Sequence, residues 1–152
     1  MEEGINPGNN AGIPFIREGM PAVDIRRYSP GALAYLGDGV YEILVRSMIV
    51  AKGNRPADDL QSMGSHYAKA VSQAAAVNRL LEQGVFSEEE TEVYKRGRNS
   101  DTHTHIRNAS RSEYQKATGL EALFGYLYLI GRYDRLQALF DRVVAAIDEV
   151  KA

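Results

Sequence analysis

The 152-residue sequence has no cysteine, no long apolar run and no segment in which polar and apolar residues alternate. The missing cysteine excludes disulfide bonds, thiolate zinc sites, iron–sulfur clusters and cysteine nucleophiles, so any metal must be held by oxygen or imidazole. A helix that crosses a bilayer needs about 20 consecutive apolar residues, which this chain lacks. Because the apolar residues recur with a helical period instead of a period of two, the sequence predicts an all-α fold.

The length and the amino terminus predict one domain in the cytoplasm, with no membrane association. A chain of 152 residues can bury about two-thirds of its unfolded surface around one core. Met1–Gly4 is acidic where a secretory signal would be basic, and no hydrophobic region follows it. Residues 1–21 are rich in glycine and proline with little periodicity, which predicts a flexible arm before a domain of residues 22–152.

The charges are unevenly distributed. The net charge of −2 argues against a generic nucleic-acid binder, because neutralisation of phosphates dominates that affinity. Between Lys95 and Lys116, however, six basic residues face two acidic ones, which gives a local charge of +4. The sequence therefore describes one basic region on an acidic body.

Capping residues and glycines mark the predicted helices. Ser29-Pro30 is typical of a helix start, since serine caps the first turn and proline needs no amide partner there. Two further Ser-x-x-Glu/Gln patterns, at Ser87 and at Ser112, are predicted as capping boxes. The predicted helices cover about residues 30–52, 56–83 with a break near Gly64-Ser65, 88–96, 112–131 and 133–150, with a loop over 97–111.

Two acidic residues lie in the most apolar helical segments: Asp38 within residues 32–40 and Glu121 within residues 118–127. An unpaired buried carboxylate costs about 1–3 kcal/mol or more, so each is expected to have a partner. For a single acid of this kind a helix cap or an arginine is the commoner partner. For two such acids, each beside glycines that let helices approach closely, a shared divalent cation is the better prediction.

Mg²⁺ is typically held by one or two carboxylates together with water and substrate phosphates. Gly31, Ala34 and Glu42 share the helix face of Asp38, and Thr118 and Gly125 flank Glu121. A metal-activated water that attacks a phosphodiester is the natural reaction for such a site beside an arginine-rich loop.

Three motifs together resemble a known family. Tyr35-Leu36-Gly37-Asp38-Gly39-Val40-Tyr41-Glu42 and Leu120–Leu127 are similar to the two signatures of the ribonuclease III catalytic domain. Lys95-Arg96-Gly97-Arg98-Asn99 between them, with no room for a double-stranded-RNA-binding domain, resembles the Mini-ribonuclease III branch. The resemblance extends over roughly residues 29–150.

This resemblance implies an all-helical, homodimeric endoribonuclease that cleaves double-stranded RNA, uses Mg²⁺ with Mn²⁺ as a substitute, and leaves 5′-phosphates. The branch is associated with trimming of large-subunit ribosomal RNA precursors. Asp38 and Glu121 carry over as catalytic, metal-binding acids. Full-length members usually have further acids at the positions of Gly31, Ala34 and Thr118, and the Mini branch shares their absence.

The roles of several other residues stay open at this point. Glu42 is either a third metal ligand or the partner of a nearby arginine. The apolar residues proposed for dimer packing, which could equally belong to the core, are Leu36, Val40, Leu123 and Tyr126. The residues predicted to contact RNA are Lys95, Arg96, Arg98, Asn99, Arg107 and Arg111. Competing interpretations are a non-catalytic helical RNA-binding or assembly protein on the same scaffold, and an acidic helical protein-interaction module.

Overall fold

The computed structural model describes residues 27–100 and 110–151, and these residues form six helices without a strand. The helices are α1 (Pro30–Ala51), α2 (Ala57–Ala68), α3 (Ala70–Glu82), α4 (Glu88–Arg98), α5 (Arg111–Leu129) and α6 (Tyr133–Lys151). This confirms the predicted all-α fold. The predicted arm and Arg107 lie outside the described residues. In the described part of the chain, none of the helices is long and apolar enough to span a membrane.

Two predicted helix starts are confirmed. The Ser29 hydroxyl accepts a hydrogen bond from the amide of Ala32 at 3.1 Å, with Pro30 in the first turn of α1. At the start of α4, Ser87 and Glu90 form both halves of a capping box. These caps satisfy amides that have no partner within the helix.

The predicted start of α5 was wrong by two residues. Ser110, and not Ser112, is the capping residue, and its box partner is Glu113 instead of Gln115. The sequence contains both Ser-x-x-Glu/Gln patterns in overlapping register. The chosen register places a charged carboxylate, a stronger acceptor than a neutral amide, on the amide of Ser110 at 2.9 Å.

The predicted break in the second helical region was also misplaced. The chain leaves the helix at Lys69, whose ψ of 153° is extended, and Gly64-Ser65 lies inside α2. Gly64 faces α1, where an added Cβ would make an ordinary contact with Val45 at 3.7 Å. In addition, α4 continues to Arg98, so Gly97 and Arg98 are helical and do not belong to a loop.

Helix α5 lies at the centre of the fold and packs against α1, α3 and α4. A helix that is apolar on most of its faces must be buried on most of them. Its buried residues include Leu120, Ala122, Leu123, Phe124, Tyr126 and Leu127. Of the residues considered for dimer packing, Val40, Leu123 and Tyr126 are buried in this core, and Leu36 is partly buried against it. The core reading of these residues is therefore the correct one.

Candidate active site

Helices α1 and α5 cross with their backbones in contact, and glycines make this possible. A Cβ atom on Gly37 would overlap the backbone carbonyl of Glu121, and one on Gly125 would overlap that of Leu33. No other residue type fits at either position without moving a helix. The spacing between Asp38, which follows Gly37, and Glu121 is therefore fixed by the backbone at this crossing, called the α1–α5 crossing below.

The structure brings the two predicted acids together. Asp38 is exposed, Glu121 is partly buried, and their carboxyl groups interact by hydrogen bonding and by charge. Burial, and then the negative charge of Asp38, raise the pKa of Glu121 to about 8, while a hydrogen bond from Gln73 opposes the rise. A carboxyl group with such a pKa lacks sufficient positive charge around it.

Glu42 pairs with an arginine. Its carboxylate accepts a hydrogen bond from Arg46 Nε at 2.8 Å, one helical turn further along α1. The charge of Glu42 still contributes to the raised pKa of Glu121, but only as the smallest of the causes. Of the two roles left open from the sequence, the structure therefore shows the arginine pairing.

Gln73 of α3 also contacts the site, although the sequence analysis did not single it out. The side chain is only 2% exposed. Its amide Nε2 donates to the backbone oxygen of Ala68 at 2.9 Å and lies 3.4 Å from Glu121 Oε2. The available signal was weak, because Gln73 follows Ser72 directly and does not interrupt an apolar segment as Asp38 and Glu121 do.

The basic segment Lys95–Asn99 lies at the carboxyl end of α4, against the turn of α5 that precedes Glu121. A Cβ atom on Gly97 would come within 2.6 Å of the Ala122 side chain and 3.0 Å of Gly119. A Cβ atom on Gly119 would come within 2.7 Å of the Tyr94 ring. This close fit brings the predicted RNA-contacting residues of α4 to the helix that carries Glu121.

The predicted RNA-contacting residues are not all equally available. Lys95, Arg96 and Asn99 are exposed. Arg98 is partly buried, lies over the Tyr94 ring at 5.8 Å and donates to Asn99 Oδ1 at 3.1 Å. Arg111 is exposed in the first turn of α5. The structure thus exposes Lys95, Arg96 and Arg111, whereas Arg98 is already held by its own helix.

The residues present fit a hydrated divalent cation. In the described ranges there is no cluster of three or more acidic or histidine ligands, so the described chain offers a pair of carboxylates and not a full protein cage. Mg²⁺ favours such sites, because it keeps several waters and takes further ligands from substrate phosphates. Such a cation would favour the ionised form of Glu121, which burial and the charge of Asp38 disfavour in its absence.

Comparison with known proteins agrees with this geometry. Residues 31–132 match the family model described as the ribonuclease III domain. The chain belongs to the ribonuclease III family. It is 38% identical over 126 residues to Mini-ribonuclease 3 of Enterococcus faecalis, which covers 83% of this chain and 96% of that protein. It is 40% identical over 121 residues to Mini-ribonuclease 3 of a Thermoanaerobacter species, covering 80% and 84%.

A solved structure supports the same assignment. The crystal structure of protein FN1578 from Fusobacterium nucleatum is similar with a TM-score of 0.70 at 28% identity. The match covers 80% of this chain and 96% of that one. As a member of the ribonuclease III family, the protein is an endoribonuclease that acts on RNA, and divalent metals generally serve this family. The fold prediction of a ribonuclease III-like helical bundle is confirmed.

Proposed function

We propose that this endoribonuclease cleaves double-stranded RNA, that Asp38 and Glu121 hold the Mg²⁺ required for cleavage, and that the products carry 5′-phosphates. The observation that carries the proposal is the α1–α5 crossing. It holds two carboxyl groups together, and among the described residues no basic side chain pairs with Glu121, whose pKa is raised to about 8. Structural carboxylates are normally paired, so an unpaired one held rigidly in place indicates a site.

Asp38 and Glu121 are the proposed ligands of Mg²⁺, or of Mn²⁺ as its substitute. Glu42 would become a third ligand only by leaving Arg46, with which it pairs at 2.8 Å. When bound, the cation activates water for attack on a phosphodiester and stabilises the charge that develops on the phosphate. The protein's helices hold the two carboxylates in place. Glu121, which is protonated near neutral pH, must release its proton when the cation binds.

The basic segment is proposed to hold the RNA backbone. Lys95, Arg96 and Asn99 are exposed at the end of α4, next to the helix that carries Glu121. An RNA duplex hides its base edges in a deep, narrow groove, so proteins recognise it mainly through phosphates and 2′-hydroxyls. Arg98, Arg107 and Arg111 remain part of this proposal, and Arg98 would first have to leave its contacts with Asn99 and Tyr94.

A homodimer is proposed because two symmetric sites can address both strands of one duplex. The packing residues differ from those expected from the sequence. Tyr35 is 87% exposed and Ile43 is 50% exposed on α1, two turns apart on one face of the helix. Exposed large apolar side chains on one face are the candidates for a surface that another protein covers. Light scattering of Tyr35→Ser protein tests this role, with dissociation to a monomer as the expected result.

The proposed natural substrate is a precursor of large-subunit ribosomal RNA. This part of the proposal rests on the similarity to the Mini-ribonuclease 3 proteins and on the single-domain architecture of the matched region. The experiment is incubation of purified protein with a ribosomal precursor duplex, a mixed-sequence duplex and their single strands, each with Mg²⁺, Mn²⁺ or chelator.

We expect both duplexes to be cleaved when metal is present and the single strands to stay intact. The precursor duplex should be cut at one defined position, and the mixed-sequence duplex should not. A 5′-phosphate is diagnosed by end-labelling that requires prior phosphatase treatment. Asp38→Asn protein is the control for contaminating nuclease. If the wild-type protein binds the duplex but does not cleave it, the non-catalytic RNA-binding alternative is favoured. The small number of acids in the described part of the site is the observation that supports this alternative.

A further inference from the structure

Gln73 is one of three polar or charged residues found buried in the described part of the chain, with Glu90 and Thr118. The other two have hydrogen-bonded partners: Thr118 donates to the Tyr114 carbonyl at 3.0 Å, and Glu90 is held by Arg135. Gln73 differs, since its Oε1 is buried and has no hydrogen-bond partner among the described residues. Such an atom is costly to leave without a donor.

The orientation of the Gln73 amide follows from its neighbours. Both contacts of Nε2, the Ala68 backbone oxygen at 2.9 Å and Glu121 Oε2 at 3.4 Å, are to acceptors. Reversing the amide would place an oxygen against these two oxygens, so the N–H group must face them. The Nε2 atom of Gln73 therefore faces the Glu121 carboxylate.

A buried acceptor beside a carboxylate needs a donor, and none of the described residues supplies it. The chain offers the pair Asp38 and Glu121 at this point, and a hydrated cation held there carries water hydrogens directed outward. Glutamine oxygen is also a suitable direct ligand for hard cations. Residues that orient metal-binding side chains from behind commonly matter almost as much as the ligands themselves.

We propose that Gln73 is a positioning residue of the site, whose Nε2 fixes the orientation of the Glu121 carboxylate that would hold the cation. This inference rests on the proposed function, because it assumes that Asp38 and Glu121 hold the cation. It assigns the role to α3, a helix that contains none of the motifs that identify the family.

The test compares Gln73→Met with wild-type protein. Methionine keeps the length and volume of the side chain but removes both the donor and the acceptor. Mn²⁺ binding to the RNA-free protein, followed by electron paramagnetic resonance, is expected to weaken about 10- to 100-fold. The Mg²⁺ concentration for half-maximal cleavage should rise by a similar factor, while KM for RNA at saturating Mg²⁺ stays unchanged.

Gln73→Glu is the second variant, because it keeps the size of the side chain but places an acceptor where Nε2 donates to Ala68 O and faces Glu121 Oε2. Its Mn²⁺ affinity is expected to fall below that of the wild type, as in Gln73→Met. Wild-type Mn²⁺ affinity in folded Gln73→Glu protein would contradict the proposed role of Nε2. The two variants are read independently, so the proposal stays testable if one of them does not fold.

Tyr67→Phe is the matched control for a merely structural role. It removes a hydroxyl hydrogen bond to Asp148 of 2.7 Å at the same end of α2, next to Ala68, without touching Glu121. Equal loss of Mn²⁺ affinity in Tyr67→Phe and Gln73→Met would show that Gln73 acts only by bracing α2, and would overturn the inference. Wild-type metal binding that is unchanged in Gln73→Met would overturn it too. A wild-type protein that binds no Mn²⁺ and cleaves in chelator would instead refute the proposed function, and this inference with it.

Discussion

Two carboxylates in the interior of this protein, Glu90 and Glu121, have opposite surroundings. Glu90 is 4% exposed and receives hydrogen bonds of 2.8 Å from Arg135 Nε, from Arg135 Nη2 and from the Ser87 amide. Burial raises the pKa of Glu90, but the bonds from Arg135 and Ser87 outweigh it and lower that pKa below its ordinary value. Glu121 has one long contact with Gln73 and a like charge beside it, and its pKa rises to about 8.

Under the proposed function, this difference separates a structural carboxylate, Glu90, from a catalytic one, Glu121. Glu90 is complete within the chain: it caps α4 and ties that helix to α6 through Arg135. Glu121 is incomplete within the described chain, and the missing partner is positive charge. Both are glutamates inside a helix, so their surroundings, and not their residue type, determine which of them is available for chemistry.

The largest expected effect is that substitution of Glu121 lowers cleavage, whereas substitution of Glu90 lowers stability. Glu121→Gln, like Asp38→Asn, should lower cleavage by at least about 100-fold, since loss of a metal ligand exceeds loss of a residue behind it. Glu90→Gln should leave cleavage per folded molecule unchanged but lower stability. Initial rates together with thermal unfolding of all three proteins measure this. Near-wild-type turnover in Glu121→Gln at saturating Mg²⁺ would remove Glu121 from the catalytic site.

Removing Arg135, the basic partner of Glu90, should also destabilise the fold. Arg135→Met leaves a buried carboxylate without its cation, and we expect a loss of about 2–3 kcal/mol, less than for a fully buried pair because Arg135 is partly exposed. Urea unfolding measures the loss. The matched control is Arg79→Met, whose exposed pair with Glu149 at 2.6 Å should contribute at most about 1 kcal/mol.

The same pair predicts a pH dependence with a defined sign. The pKa of Glu90 is lowered in the folded state, so its contribution is present above the unfolded value of about 4.3 and is lost as the pH falls through the folded pKa. The stability difference between wild type and Arg135→Met should therefore shrink below about pH 4. A difference that is constant from pH 7 to pH 3 would mean that Arg135 acts through packing alone.

Glu121 predicts the opposite sign in metal-free protein. Its folded pKa of about 8 lies above the unfolded value of about 4.3, so ionisation opposes folding increasingly between these two pH values. Glu121→Gln should be more stable than wild type at pH 8 by about 1–3 kcal/mol, with the difference fading towards pH 4. Exposed Glu92→Gln is the control and should show no such trend. Saturating Mg²⁺ should reverse the order of the two proteins.

The smallest expected effect concerns the basic segment. Arg96→Gln in a Glu121→Gln background should weaken duplex binding for every sequence and reduce the slope of log affinity against log salt by about one unit. Arg142→Gln, an exposed cation on α6, is the control and should leave the slope unchanged. A loss limited to certain sequences would indicate base reading in place of phosphate contact.

Local chemistry predicted much of this fold, and long-range contacts account for what it missed. The starts of α1 and α4 followed from Ser29-Pro30 and from the Ser87 capping box, because a cap needs only its own turn. The break at Lys69 carries no glycine or proline, and it becomes visible only in the packing of α2 and α3 against their neighbours. The pairing of Asp38 with Glu121 was predicted from two polar residues in apolar helices together with the family resemblance.

Gln73 illustrates the limit of sequence reasoning. It lies 48 residues from Glu121 along the chain, on an alanine-rich helix, and only the packing of α3 against α5 shows that the two side chains meet. Likewise, the apolar pattern of Val40, Leu123 and Tyr126 could not distinguish a core from an interface, because both bury the same residue types.

The α1–α5 crossing has a consequence for how this enzyme loses activity on heating. Its carboxylates are attached where two helix backbones touch, at Gly37 and Gly125, inside the main core. Local opening of the kind that inactivates loop-built sites cannot separate them, since parting these helices exposes the core itself. Loss of metal affinity and loss of helicity should therefore follow one common melting curve.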